Sequence, residues 1–180
     1  MLRLAIIAAM DAHGLLANEQ GIPWHLPTDI AHFRARAQDR WLLLGRRTYE
    51  EMQGWFKPGH IPLVLTRSAA SLSGPGQIVT DVSQALALAA SAGAEELLCC
   101  GGAQVFTAAL SVADEMELTE IDHAFPPGFR PVYFPSWDRT QWRMIHQRYY
   151  PKDEESDQPC PMTIRTYVRH ESTTPQTSSL

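Results

Sequence analysis

The residues best placed to do chemistry lie in one string, Gly21-Ile22-Pro23-Trp24-His25-Leu26-Pro27-Thr28-Asp29-Ile30-Ala31-His32-Phe33. Pro27 suits the first position of a helix, because its missing N–H has no intrahelical partner there. A helix is therefore expected from about Pro27. Asp29 then falls in the first turn, with Phe33 one turn on and Ile30 beside it. Two readings of Asp29 stay open. It is either an exposed acid favoured by the positive end of the helix dipole, or a partly buried carboxylate in an apolar cleft, where desolvation raises its pKa and suits it to handle a proton or orient a ligand. Composition does not choose between them.

Two strand–glycine–helix junctions supply a second kind of chemistry. Trp41-Leu42-Leu43-Leu44 reads as a short buried strand running into Gly45-Arg46-Arg47-Thr48 and a helix. A glycine lets a ligand approach the backbone, the first N–H groups of a helix accept a phosphate, and arginines and a hydroxyl add donors. The Gly-Arg-x-Thr pattern is weak by itself, since a capped helix with surface arginines fits almost as well. Glu96-Leu97-Leu98-Cys99-Cys100 then leads into Gly101-Gly102-Ala103-Gln104-Val105-Phe106. The Gly-x-Gly-x-x-Gly fingerprint is absent, so an ordinary Rossmann site is not expected. Cys100 reads as a small buried thiol rather than a nucleophile, because no base is apparent beside it.

The elements that must position these groups follow from patterning. Residues 2–10 are apolar enough for a central strand buried on both faces, and 11–21 read as a mobile, half-buried loop. Further strands are expected at 63–67, 77–79, 116–122, 142–149 and 162–168, with a helix over 82–92 starting near Asp81 or Ser83. Pro126–Pro131 is a stiff loop, and Asp153–Asp157 an acidic hairpin. The 180 residues, 44% of them hydrophobic, suit one domain over 1–170. The Ser/Thr-rich 171–180 is expected to be a disordered tail. The formal net charge of −5 argues against nucleic acid as a partner, although Arg34, Arg36, Arg40, Arg46 and Arg47 fall close together. These hint at an anionic ligand, and a solvated basic helix face explains the first three as well. No run is long and apolar enough for a membrane span, and three cysteines with no convincing signal peptide fit a reducing cytoplasm.

The string Pro-Trp-x-Leu-Pro-x-Asp at 23–29, followed by Phe33, resembles the active-site signature of dihydrofolate reductases, and the resemblance runs colinearly to about residue 169. It implies an α/β fold, a single domain with an eight-stranded mostly parallel sheet, an antiparallel C-terminal strand and flanking helices. It further implies NADPH as cofactor, dihydrofolate as substrate, and a cytoplasmic monomer. By the same resemblance Asp29, Trp24 and Thr119 are catalytic, with Thr119 bonded to the acid. Ile7, Ala8, Ile30, Phe33 and Cys100 bind the substrate's ring, and Lys57 and His60 lie toward its tail. Ala9, Leu16 and Phe106 lie near the nicotinamide. Gly45, Arg46, Arg47 and Thr48 take a cofactor phosphate. Leu65, Thr66 and Arg67 lie on the 2′-phosphate side, and Gly101, Gly102, Ala103, Gln104 and Val105 against the cofactor. No metal is implied.

The sequence departs from the family's pattern in three places. Ala17 stands where the flap over the nicotinamide carries a glycine, and Pro126–Pro131 is a longer loop than the family's. His60 stands where an arginine pairs with the glutamate tail of folate, with Lys57, Arg34 or Arg36 as possible substitutes. Rival readings are a same-fold NADPH reductase of a non-glutamylated pterin or a riboflavin-precursor pyrimidine, or a nucleotide-binding module without catalysis.

Overall fold

Strands that run uncharged through their middle must be covered on both faces, and Leu4–Ala8, Leu42–Leu44 and Leu97–Cys99 are all buried. The computed structural model describes residues 1–68 and 71–170; the tail expected at 171–180 lies outside them. In chain order the elements are β1 (Arg3–Met10), β2 (Leu15–Ala17), α1 (Pro27–Ala37), β3 (Trp41–Gly45), α2 (Arg46–Glu51), β4 (Ile61–Leu65) and β5 (Gln77–Val79). Then come α3 (Val82–Ser91), β6 (Glu96–Gly101), α4 (Ala103–Leu110), β7 (Glu115–Ile121), β8 (Val132–Tyr133), β9 (Trp142–Tyr150) and β10 (Met162–Arg169). Eight strands form one sheet in the order β5-β4-β3-β6-β1-β7-β10-β9. Its strands are parallel except β10, which runs antiparallel to β7 and β9.

Alternation along each strand divides the core into two layers. On one face Leu4, Ile6, Leu43, Leu97 and Cys99 pack with Val82 and Ala85 of α3 and Val105, Phe106 and Ala109 of α4. On the other, Ala5, Ile7, Leu42, Leu44 and Leu98 pack with Ala37 of α1, Tyr49 of α2 and Phe33. The face carrying α1 and α2 is the one that carries Asp29. No helix among the described residues is long and apolar enough to cross a membrane.

Two expectations change. The strand read at 63–67 is Ile61–Leu65, so Thr66 and Arg67 lie just beyond its end. The segment read as a mobile loop at 11–21 contains β2, which pairs with β8 in a small second sheet that its short length and weak alternation conceal.

Gly101 closes β6 at φ +97°, and a Cβ there would stand 2.7 Å from the Phe106 ring. Left-handed backbone and a ring at sub-contact distance both oppose a side chain. Gly101→Ala should cost roughly 2–3 kcal/mol, read as a lowered urea midpoint. An unchanged midpoint would mean that Phe106 has room to retreat.

Candidate active site

Helix α1 begins at Pro27 with Leu26 as its cap residue and no side-chain cap, so Asp29 is not needed to close the helix and is free to point at the sheet. It meets β7, where Glu115, Glu117, Thr119 and Ile121 share one face. Thr119 Oγ1 donates to Asp29 Oδ1 at 2.6 Å. Burial raises the Asp29 carboxyl above its ordinary value, and the Thr119 bond and the charge of His32 pull against that rise. The exposed reading of Asp29 gives way: the side chain is half-buried and hydrogen-bonded to Thr119.

Around it the expected apolar groups divide by strand face. Ile7, Phe33 and Cys100 belong to the layer beneath α1 and α2, and Ala9, in register with Thr119, lies on the same side by alternation. Ala8 packs in the opposite layer, so only its backbone is offered to this face. Ile30 is half-buried in the first turn of α1. Trp24 packs on Phe125 with ring centroids 5.3 Å apart, in a small cluster with Leu26, Ile121 and Ile164. Cys100 Sγ lies 3.5 Å from the Leu98 carbonyl oxygen, and burial holds its thiol well above the ordinary range, which removes any nucleophilic part. A cavity of about 700 Å³ lined by Met10, Glu120, Trp137 and Arg165 opens on the opposite face of the sheet and does not include Asp29.

From Phe33 a row of rings leads away from the carboxylate. Phe33 lies 5.2 Å from Trp55, and Trp55 stacks flat on His60 at 4.6 Å and 2°. His60 Nδ1 accepts the Lys57 N–H at 2.9 Å. Burial lowers the His60 pKa, with Lys57 adding to the fall and Asp39 opposing it. A ring whose Nδ1 is an acceptor is neutral. Lys57 is exposed. Arg36, one of the cations considered for the tail, is committed elsewhere: it bonds Glu96 at 2.8 Å, Glu117 more closely, and faces Glu115 at 3.7 Å. The basic run of α1 is thus answered largely from within the fold, and Arg34 stays exposed.

The two glycine junctions lie side by side, because β3 and β6 are neighbours. An added Cβ at Gly45 would meet Val105 Cγ2 at 3.1 Å, and one at Gly102 would meet Thr48 Oγ1 at 3.5 Å. Neither α2 nor α4 has a side-chain cap, whereas remote α3 is capped by Asp81, which accepts the Gln84 N–H at 2.8 Å. Two adjacent helix starts without caps, with Arg46, Arg47 and Thr48 at the first of them, suit the phosphates of a dinucleotide. Arg46 and Arg47 also face Glu50 at 3.6 Å and Glu51 at 2.9 Å along α2. Ala103 and Gln104 open α4, while Val105 and Phe106 turn into the core. Phe106 meets Phe134 at a tilt, with ring centroids 5.2 Å apart. Leu16 and Leu65 are partly buried against that layer. Thr66 Oγ1 accepts the Ser68 N–H at 3.1 Å, and Arg67 is exposed beside it.

Fold and site together define an α/β enzyme with a half-buried acid on one sheet face and paired glycine-led helix starts at the strand ends. A family model described as dihydrofolate reductase matches residues 3–169. The chain is 34% identical over 143 residues to dihydrofolate reductase of Neisseria gonorrhoeae, covering 79% of this chain and 85% of that one. It is 31% identical over 153 residues to that of Bacillus subtilis, covering 85% and 88%. A solved dihydrofolate reductase from Enterococcus faecalis, complexed with NADP(H) and RAB-propyl, superposes with a TM-score of 0.84 at 28% identity, over 94% of this chain and 97% of that one. The chain belongs to the dihydrofolate reductase family.

Two features escape the sequence reading. Asp11, buried, accepts N–H groups of His13, Leu15 and Phe125 at 2.8–2.9 Å. Glu19 accepts those of Phe129 at 2.8 Å and Arg130 at 3.2 Å, and these bonds together with one to its own N–H hold its carboxyl below the ordinary value. Together with β2–β8 pairing they lash residues 11–19 to 125–133, which gives the long proline loop its place. Only the acids at both ends of the segment could have signalled it. Glu19→Gln leaves one oxygen able to accept and removes the charge. Amide exchange over 14–21 should rise several-fold, and in the wild type the same loosening should appear as pH falls through the depressed Glu19 pKa. Exchange rates equal to wild type would mean that β2–β8 pairing alone holds the flap.

Proposed function

We propose that this chain reduces 7,8-dihydrofolate to 5,6,7,8-tetrahydrofolate, with Asp29, Trp24 and Thr119 as its catalytic group. The observation that carries the reading is the half-buried Asp29 carboxylate, held by Thr119 on the sheet face of Ile7, Phe33 and Cys100. NADPH, held by residues of the 45–48, 65–67 and 101–106 segments, supplies the hydride that reaches C6. A C=N bond accepts hydride poorly until its nitrogen is protonated. Asp29, ionised, takes the amino-pyrimidine edge of the ring and favours the form protonated at N5. Water carries that proton to N5, and Trp24 holds the water. Desolvation strengthens each of these interactions. The buried free thiols Cys99 and Cys160 suit a monomer working in a reducing cytoplasm, without nucleic acid or membrane as partner.

At the far end of the ring row, His60 favours a second, narrower reading in which the substrate's glutamate matters little. A neutral imidazole stacked on Trp55 offers neither charge nor the paired donors of a guanidinium. Initial rates of NADPH oxidation with dihydrofolate and with dihydropteroate, which lacks the glutamate, test both readings. Turnover of both with little preference fits His60. Turnover of neither would overturn the proposal. His60→Arg should lower the KM for dihydrofolate by about 10-fold and leave dihydropteroate unchanged. Equal KM values in variant and wild type would show that another cation already takes the tail.

Asp29 also predicts a trade of stability against activity. Burial raises its folded-state pKa above the unfolded one, so the unfolded chain ionises first as pH rises, and the fold is penalised through that window and above it. Asp29→Asn keeps an acceptor for Thr119 and removes the penalty. The variant should melt higher than wild type at neutral pH, lose that advantage in acid below the unfolded pKa, and turn over about 10²–10³-fold more slowly. A variant that melts lower at neutral pH would mean that the carboxylate is well solvated.

A further inference from the structure

Behind Asp29 lies an ion network that the reaction as described does not use. Residues 29, 32, 33 and 36 share the sheet-facing side of α1, and Thr119, Glu117 and Glu115 succeed one another on the same face of β7. The two sets meet rung by rung. Thr119 meets Asp29, Glu117 meets His32 and Arg36, and Glu115 meets Arg36. His32 Nε2 stands 2.9 Å from Glu117 Oε2, at ion-pair distance.

The remaining charged neighbours are accounted for by element. From β6 comes Glu96, from β1 Arg3, and from the chain after α1 Arg40; Arg3 bonds Glu96 at 3.3 Å and faces Glu115 at 3.5 Å, and Arg40 stands 3.9 Å from Glu96. Cys100 on β6 is a neutral thiol. Across β7, the register neighbour of Glu117 on β10 is Thr166, and His146 on β9 follows it. Asp39 lies past the end of α1, on the side of His60. Three carboxylates, Glu96, Glu115 and Glu117, thus face three guanidiniums, Arg3, Arg36 and Arg40. Their charges balance before Asp29 and His32 are counted. Asp29 and His32 are left over from that balance, and they sit three residues apart on one helix face.

We infer that His32, seated on Glu117, is a positioning residue for Asp29: its imidazolium is the counter-charge of the Asp29 carboxylate and sets the acid limit of the reaction. The inference rests on Asp29 as the substrate-facing acid. Glu117 holds the ring on the sheet-facing side of α1 that also carries Asp29. Arg36 keeps Glu117 ionised: burial pushes its carboxyl up, and the contacts from His32 and Arg36 outweigh that and leave it below the ordinary range.

The test is a carbon-detected titration of the Asp29 carboxyl in the substrate-free full chain, in wild type, His32→Gln and His32→Lys, with the pH profile of kcat/KM alongside. In His32→Gln the Asp29 midpoint should move up by about half to one pH unit, with the acid limb of kcat/KM moving equally. His32→Lys, which restores a cation, should bring both back toward wild type. His32→Asn replaces the glutamine variant if that does not fold. An Asp29 midpoint unmoved by the neutral substitutions, or one that the lysine does not restore, would overturn the inference and leave His32 a packing residue. Unimpaired turnover in Asp29→Asn would instead remove the assignment of Asp29, with the titration result standing apart from it.

Discussion

The structure depends on a carboxylate that cannot be left alone in an apolar layer. Asp29 is desolvated by its surroundings, and an unpaired buried carboxylate costs several kcal/mol in this setting. Thr119 answers it with a short hydrogen bond. That bond fixes the axial position of α1 against β7 and the rotation of the helix about its own axis. Once Asp29 is placed, His32, Phe33 and Arg36 have no other direction to face.

The second constraint follows at the opposite end of the helix. Strands β1, β6 and β7 begin at one edge of the fold, and there the sequence puts Arg3, Glu96, Glu115 and Glu117 on the α1 side of the sheet. Glu96 and Glu117 are buried, and such carboxylates need a cation with several donors. Arg36 provides it, bonding Glu96 and Glu117 at once. Burial opposes the charge on Arg36, and the carboxylates outweigh this, holding its pKa above the usual value. A buried network of this kind contributes less to net stability than its contacts suggest, because desolvation offsets most of the attraction. What it supplies is register: sliding α1 by one turn would strand two carboxylates and break the Thr119 bond together.

Much of this was legible in the sequence. Pro27 marks where α1 starts, the apolar runs at 2–10, 41–44 and 96–100 mark the central strands, and the Trp24–Asp29 string marks the family. The partners of Arg36 are not legible in this way, because a basic run on a helix reads the same whether it faces solvent, a ligand or acids from distant strands. Glu96 and Glu117, 60 and 81 residues away, give no local sign that they will converge on it. The β2–β8 sheet was missed for a related reason. Two strands of three and two residues carry too little alternation to register, and their pairing depends on Asp11 and Glu19 gripping backbone across more than a hundred residues.

The same logic separates the Asp29 and His60 ends of this sheet face. At Asp29 the protein keeps a carboxylate by answering it with the Thr119 hydroxyl. At His60 it does the reverse, flattening an imidazole on Trp55 and occupying its Nδ1 with a backbone N–H. Stacking of a ring on a ring is favoured by burial of both faces, and burial disfavours the imidazolium. A histidine free in solvent beside Asp39 would be drawn toward the charged state. The Trp55 contact therefore decides its chemistry. Between the two ends run Phe33 and Trp55, which offer contact area and no charge. This face of the sheet is consequently charged at one end only, an arrangement that would orient a ring with a polar edge by that edge and leave the rest of a ligand to be held by packing.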